Sequence, residues 1–176
     1  MKLVSNITIV FTLLIVILVG CTTVGMTARQ AAITTSHVIA LEDSFDKVSP
    51  IVEEHIESVK PDDRAKVRNA WNTLLTIRNE IKDDDPSQVL TNVARSQDLY
   101  QKTREAYITL RPITERLIAN GTISSEDAIT LQRIDERAQA LDDKMQTLNS
   151  NEATVAAIRF ARNVVPLVSK IVLGLV

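Results

Sequence analysis

Apolar residues return every three or four positions through most of the chain, which is the spacing of one face of an α-helix. The pattern forms consecutive segments separated by polar residues, and it places Trp71 and both tyrosines in a core. Its members are Ile33, Leu41, Phe45, Val48, Val52, Ile56 and Val59; Val67, Trp71, Leu74 and Ile81; Val89, Val93, Tyr100, Tyr107, Leu110 and Leu117; and Ala128, Leu131, Ile134, Ala138, Leu141, Met145 and Leu148. We predict an all-α fold, an antiparallel up-and-down bundle of four to five helices in one domain over residues 29–176.

Charged turns indicate where the first two helices meet. Lys60 and Pro61 are expected to end the first helix. Asp62 or Asp63 is then expected to be the N-cap of a second helix over about 63–83, because a short acidic side chain accepts hydrogen bonds from free backbone N–H groups.

A third helix is expected to run from about residue 86 to Ala119. Asp85 is suited to cap it and Pro86 to occupy its first position. Pro112 lies inside this segment and should kink or divide the helix, because proline removes one backbone hydrogen bond and its ring crowds the preceding turn.

The fourth helix is bracketed by two local signals. Asn120-Gly121 is the expected end of the third helix, since glycine readily adopts the left-handed conformation found there. Ser124 followed by Asp127 resembles a capping box with a shorter acid, and it predicts the start of the next helix.

The last segment, residues 152–176, is strongly apolar, and its polar residues fall within a wedge of roughly 100° on a helical wheel. We expect its apolar face to pack into the bundle, while Arg159, Arg162 and Lys170 face water, a membrane surface or a partner. A complete membrane span is disfavoured because three cations would have to enter hydrocarbon. Insertion at the membrane surface is the alternative.

Composition supports helices and narrows the possible partners. The chain has 45% hydrophobic and 24% charged residues with only 4 Gly and 5 Pro, which is typical of a globular protein poor in turns. The net charge is −2, and removal of Lys2 with a signal peptide would lower it by one. No basic stripe is evident, and aromatic residues are only 3% of the chain, so we expect no nucleic-acid partner.

The first 20 residues have the layout of a secretory signal peptide. Lys2 supplies a positive start, residues 7–19 form an apolar run, and Gly20 is a small residue before a cleavage point. The alternative is an uncleaved membrane anchor, since residues 3–20 approach the length at which a helix spans a bilayer.

Leu18-Val19-Gly20-Cys21 resembles the lipobox of bacterial lipoproteins. The resemblance covers only the first 21 residues. It implies diacylglycerol on the Cys21 sulfur, cleavage before Cys21, amide acylation by a chain such as palmitate, and a lipidated tether over residues 21–28. Asp after the cysteine retains lipoproteins of enterobacterial type in the inner membrane. Thr22 stands there, so the resemblance favours the outer membrane, facing the periplasm.

The residues with reactive side chains form no recognisable catalytic, metal or cofactor motif. His37 and His55 stand about 27 Å apart on one helix, too far to share a metal. Acidic pairs at helix starts are explained by capping. Cys21 is the single cysteine, so no disulfide forms within the chain, and once acylated its sulfur cannot act as a nucleophile. We therefore predict no catalytic residue, no metal and no cofactor.

These features favour a lipid-anchored, non-catalytic envelope lipoprotein that acts through contacts with an unknown envelope protein in the periplasm. The alternative is a membrane-active or envelope-bridging lipoprotein of the phage type, concerned with lysis or superinfection exclusion, that uses the carboxy-terminal amphipathic helix. An enzyme with scattered catalytic residues is the third possibility.

Overall fold

A computed structural model describes residues 28–83 and 93–176. These ranges contain five α-helices: α1 (Ala28–His55), α2 (Pro61–Asp83), α3 (Val93–Ala119), α4 (Ser125–Lys144) and α5 (Ser150–Leu175), with a short 3₁₀ turn, Ile56–Ser58, after α1. The described residues include no strand, and the all-α prediction is confirmed. The predicted signal peptide, Cys21 with most of its tether, and the expected start of the third helix at Asp85 and Pro86 lie outside the described residues.

Ion pairs between successive helices show that each helix runs opposite to the one before it. The pairs join the start of one helix to the end of the next, or the end of one to the start of the next: Glu42 with Arg78 and, from the turn after α1, Glu57 with Arg64; Glu80 with Lys102 and Asp63 with Arg116; Asp142 with Arg104 and Asp135 with Arg111; and Asp127 with Lys170. The up-and-down topology is therefore as predicted, and α1, α3 and α5 run parallel to one another.

Helix α5 lies at the centre of the bundle. It contacts the other four helices and packs most extensively against α1 and α3. Its buried apolar residues are Ala153, Ala157, Ile158, Phe160, Ala161, Val164, Val165, Leu167, Val168, Ile171 and Val172. Full burial of a large aliphatic or aromatic side chain contributes about 1.5–3 kcal/mol, so this face stabilises the whole bundle. The prediction that the apolar face of the last helix packs into the protein is confirmed.

The start of α2 differs from the prediction. The helix begins at Pro61, so Asp62 and Asp63 lie in its first turn rather than at the N-cap. Proline suits the first helical position because its φ angle is preset and its missing N–H would have no partner there. Asp63 is buried and accepts a hydrogen bond from Arg116 Nη2 of α3 over 2.5 Å. Its carboxylate thus joins two helices.

The two sides of the turn between α3 and α4 follow the prediction. Gly121 has a φ of 70°, and its N–H and that of Thr122 donate to the carbonyl groups of Ile118 and Leu117 over 3.0 and 2.9 Å. This is the Schellman arrangement that ends many helices. Ser124 caps α4, because its Oγ accepts a hydrogen bond from the N–H of Asp127.

The start of α5 was placed two residues too late, at residue 152. The helix begins at Ser150, and Asn149 is its N-cap. The Asn149 Oδ1 accepts a hydrogen bond from the N–H of Glu152 over 3.1 Å. Asparagine at this position satisfies one of the backbone donors that a helix start leaves free.

Pro112 does not divide α3, which continues to Ala119. The division was wrong because Pro112 is exposed, as is Ile108, whose carbonyl would otherwise accept the missing hydrogen bond. Water can satisfy a carbonyl group on that side. Pro50 in α1 and Pro166 in α5 also lie inside continuous helices, away from the buried faces.

Candidate functional site

A groove lined by positively charged side chains runs along the surface between α4 and α5. Two adjoining cavities of about 270 and 490 Å³ make up this α4/α5 groove. Its cations are Arg133, Arg137 and Lys144 of α4 and Arg159, Arg162 and Lys170 of α5. The groove is open to solvent, so a ligand or partner could reach all of them.

The spacing of these residues explains their common direction. At 100° per residue, Arg133, Arg137 and Lys144 fall within about 40° of one another on α4. Arg159 and Lys170 stand in the same relation on α5. Each helix therefore contributes a stripe of cations, and the antiparallel contact of α4 with α5 brings the two stripes together.

Most other arginines and lysines of the bundle are neutralised by a nearby carboxylate. Those with a carboxylate oxygen within 4.0 Å on α1 to α3 are Lys47, Arg64, Arg68, Arg78, Lys102, Arg104, Arg111 and Arg116. Among the described residues, no carboxylate lies within that distance of the cations in the following set: Arg133, Arg137, Lys144, Arg159 and Arg162. The α4/α5 groove thus holds five uncompensated positive charges on a chain whose net charge is −2.

One acidic residue lines the groove, and a second lies beyond its other end. Asp127, near the start of α4, forms an ion pair with Lys170 and accepts a hydrogen bond from Ser124 Oγ over 2.8 Å. These bonds, led by that from Lys170, hold the pKa of Asp127 below its usual range. Glu152 is exposed near the other end. The positive charge is therefore concentrated between the two acids.

The positive charges of the α4/α5 groove affect the pKa of a histidine on α1. Burial first, and then the positive charges of Arg159 and Arg162, lower the pKa of His37 from its ordinary value. A neutral imidazole is favoured there because protonation would add a charge beside two cations. His55 Nε2 lies 3.9 Å from the Glu54 carboxylate, but the described residues contain no cluster of three or more His, Cys, Asp or Glu side chains that could hold a metal ion.

Of the three cations predicted to face a membrane or partner, two are unpaired. Arg159 and Arg162 are exposed and point into the groove, whereas Lys170 is engaged by Asp127. Arg133 and Arg137 were missed, and the expectation that the chain has no basic stripe was wrong. Their i, i+4 spacing was visible in the sequence, but the stripe is completed only by residues of a different helix.

Hydrogen bonds to α3 fix the orientation of α4. Tyr100 and Tyr107 are buried, and their hydroxyl groups donate to Asp142 and Asp135 over 2.6 and 2.5 Å. Burial, followed by the bond to its aspartate, raises the pKa of each tyrosine. Asp135 and Asp142 lie about 180° around α4 from Arg133, so the face opposite the cations is held against α3.

Each of these two aspartates also binds an arginine of α3. Arg104 donates to Asp142 through Nε over 2.8 Å, and Arg111 Nη2 lies 3.1 Å from Asp135. Burial opposes ionisation of Asp142, but the bonds from Arg104 and Tyr100 outweigh it and lower the pKa of this carboxyl. Both aspartates therefore have structural roles.

Comparisons with protein-family models, with curated proteins and with solved structures found no significant match to this chain. Within residues 28–83 and 93–176, no helix is both long and apolar enough to cross a membrane. The site must therefore be interpreted from its own chemistry, which is that of a rigid, cationic, solvent-accessible groove.

Proposed function

We propose that the protein is a lipid-anchored, non-catalytic envelope lipoprotein that binds an acidic surface of a protein partner through the α4/α5 groove. The observation that carries the proposal is the group of five cations without a carboxylate within 4.0 Å among the described residues. Unpaired charges aligned on rigid helices attract a complementary surface and orient it as it approaches.

The anchor is supported by the lipobox-like sequence before Cys21. Helix α1 begins at Ala28, so at most about 25 Å of extended chain separates it from the lipid. Two or three acyl chains would hold the domain stably at the membrane surface. We place that surface on the periplasmic side, with the outer membrane favoured because Thr22 follows the cysteine.

A protein partner is favoured over a nucleic acid because the groove lacks stacking surfaces. Phe160 is the aromatic residue beside it, and its ring is buried against Tyr100 and Tyr107. Single-stranded nucleic acids need exposed aromatic rings, and duplexes need an extended basic face. A groove bounded by Asp127 and Glu152 fits a limited acidic patch better.

The membrane-active alternative receives less support from the fold. The apolar face of α5 is packed between α1 and α3, and the large apolar residue that α5 exposes is Leu173, in its last turn. Insertion of α5 into a membrane would first require the core to open. That cost argues against a lytic helix as the main function.

Two measurements test the proposal. Mass spectrometry of the mature protein should find diacylglyceryl-cysteine at residue 21, and Cys21→Ser should release the protein from the membrane. An intact Met1 terminus would contradict the anchor.

Partner binding can be tested in cells with a photo-crosslinking amino acid at Thr130, which lines the groove, or at the exposed Thr76 of α2 as the control position. Thr130 should crosslink to a protein through an acidic peptide, and the double variant Arg137→Gln, Arg162→Gln should abolish the product. Lys66→Gln is the matched control, because Lys66 is an exposed cation on α2 that forms no ion pair with the described residues. Crosslinking that persists in the double variant would refute a cationic docking site.

A further inference from the structure

A second cavity lies where the start of α1 meets the end of α4 and the start of α5. It measures about 420 Å³, within the range of small-molecule sites. Its apolar walls are Ile33 of α1, Leu141 and Leu148 from α4 and the following turn, and Val155 and Ala156 of α5. Ile33 was expected to lie in the core, yet it is 43% exposed because it borders this cavity.

The rim of the cavity is charged and continuous with the α4/α5 groove. Lys144 and Arg159 line both spaces, as do Leu141 and Ala156. Neither cation has a carboxylate within 4.0 Å among the described residues, and Glu152 is the acidic residue on the rim. One end of the cavity is therefore apolar, and the other end is continuous with the positively charged α4/α5 groove.

We propose that this cavity binds the acyl chain of an anionic amphiphile, with the negative headgroup held by Lys144 and Arg159. Apolar walls favour a hydrocarbon chain because its burial removes apolar surface from water. Two unpaired cations at the mouth favour a negative headgroup, since each can form a charge-assisted hydrogen bond. A helix of a partner protein would need a long apolar groove, whereas this one gives way to a cationic surface after Leu141 and Ala156.

The location of the cavity suits such a ligand. It lies at the end of the bundle where α1 begins, which is the end nearest to the predicted lipid on Cys21 and hence to a membrane. This site goes beyond the protein contact proposed above: the two share Lys144 and Arg159, whereas Arg133, Arg137 and Arg162 line only the α4/α5 groove. Either proposal can fail without the other.

The test uses the full chain, purified from membranes and placed in phosphatidylcholine nanodiscs. The probe is a fatty acid with a diazirine near the end of its chain, and the matched probe is the corresponding fatty alcohol. After irradiation, peptide mapping should place the acid on the segment containing Val155 and Ala156, with labelling about tenfold stronger than that by the alcohol.

Four variants make the result specific. Ala156→Trp fills the cavity and should abolish labelling, and Ile33→Trp does so from an exposed position if the first variant fails to fold. Arg159→Gln should weaken labelling by the acid about tenfold without affecting the alcohol. Lys66→Gln, far from the cavity on α2, should change nothing.

Other outcomes would overturn the proposal. Equal labelling by acid and alcohol would exclude recognition of a negative headgroup. Labelling confined to the tether over residues 21–28 would place the probe in the bilayer beside the anchor. No labelling of the cavity in the folded protein would mean that another occupant, such as the chain's own amino-terminal segment, covers it.

Discussion

The hydroxyl oxygen of Tyr100 in α3 lies 2.6 Å from the carboxylate of Asp142 and 2.9 Å from the carbonyl oxygen of Ala138 in α4, and these two acceptors share its single proton. The bond between Tyr107 and Asp135 repeats this contact one heptad further along α3. Two buried tyrosines thus supply polar contacts between α3 and α4, beside those of Arg104 and Arg111. Because these contacts fix the rotation of α4 about its own axis, they also fix the direction in which the α4 cations of the α4/α5 groove point.

Substitutions of Tyr100 and Asp142 should each destabilise the protein, and their effects should be coupled because the two side chains bind each other. Tyr100→Phe should lower the free energy of unfolding by about 1–2 kcal/mol, because the carboxylate of Asp142 loses a buried donor. Asp142→Asn should cost a similar amount, and the double variant less than the sum. Urea unfolding followed by circular dichroism measures all three. The control is Asp143→Asn, an exposed neighbour expected to stay within about 0.5 kcal/mol; additive single effects would contradict the coupling.

The same tyrosines should make stability fall in alkali. Burial and the neighbouring aspartates raise the pKa of Tyr100 and Tyr107 in the folded protein. Their contribution is therefore fully present below the unfolded-state pKa of about 10 and is lost as the pH rises above it. Unfolding measured from pH 8 to 11 should show this loss. In the variant Tyr100→Phe, Tyr107→Phe the alkaline slope should be shallower, and an unchanged slope would rule out the tyrosines as its source.

The titration of His37 should report the charge of the groove. Its pKa in the folded protein is lowered, so it favours the folded state above about pH 6.5, and this contribution is lost as the pH falls below that value. NMR titration of the imidazole signals should show Arg159→Gln raising the pKa of His37, because a repelling charge is removed. Arg133→Gln, which removes a groove cation that does not act on His37, is the control. No response to Arg159→Gln would show that the charge of Arg159 does not contribute to the lowered pKa of His37.

Phe160 should be among the most sensitive core positions. Its ring centroid lies 5.4 and 6.1 Å from those of Tyr100 and Tyr107, and the side chain is buried. Phe160→Ala should lower the free energy of unfolding by about 3–5 kcal/mol, because it leaves a cavity at the centre of α5. Leu173→Ala on the same helix is the control, since Leu173 is 55% exposed. Similar losses in both variants would mean that α5 is not held by its inner face.

Gly121 should tolerate asparagine better than alanine. Its φ of 70° favours glycine, and a side-chain carbon there would meet no atom within 4 Å. Gly121→Ala should therefore cost about 1–2 kcal/mol through backbone strain alone. Thermal unfolding should show a smaller loss for Gly121→Asn, because asparagine visits the left-handed region more readily. Equal losses would point to a different cause.

The helices and the buried face of α5 could be predicted from sequence because helical periodicity and capping are local properties. Ser124, Gly121 and the apolar residues from Val164 to Val172 behave as their neighbours along the chain indicate. Pro112 was harder to interpret, since its effect depends on whether the carbonyl it leaves free faces water or the core.

The α4/α5 groove could be predicted only in part, because a surface shared by two helices depends on which helices are neighbours. Arg159 and Arg162 stood out against an apolar segment, whereas Arg133 and Arg137 lie among acidic residues in the sequence. Their carboxylate neighbours along the chain point elsewhere in the fold. Likewise, the exposure of Ile33 follows from a gap between three helices that periodicity cannot show.

The central position of α5 governs the order in which the protein can assemble. During synthesis or vectorial export, α1 to α4 emerge before the helix that fills the space between α1 and α3. Until then their apolar stripes have no complete core, and the contacts of α1 with α5 close a loop of more than 100 residues, which slows folding. A nascent chain would therefore need protection from aggregation until its last described helix is available.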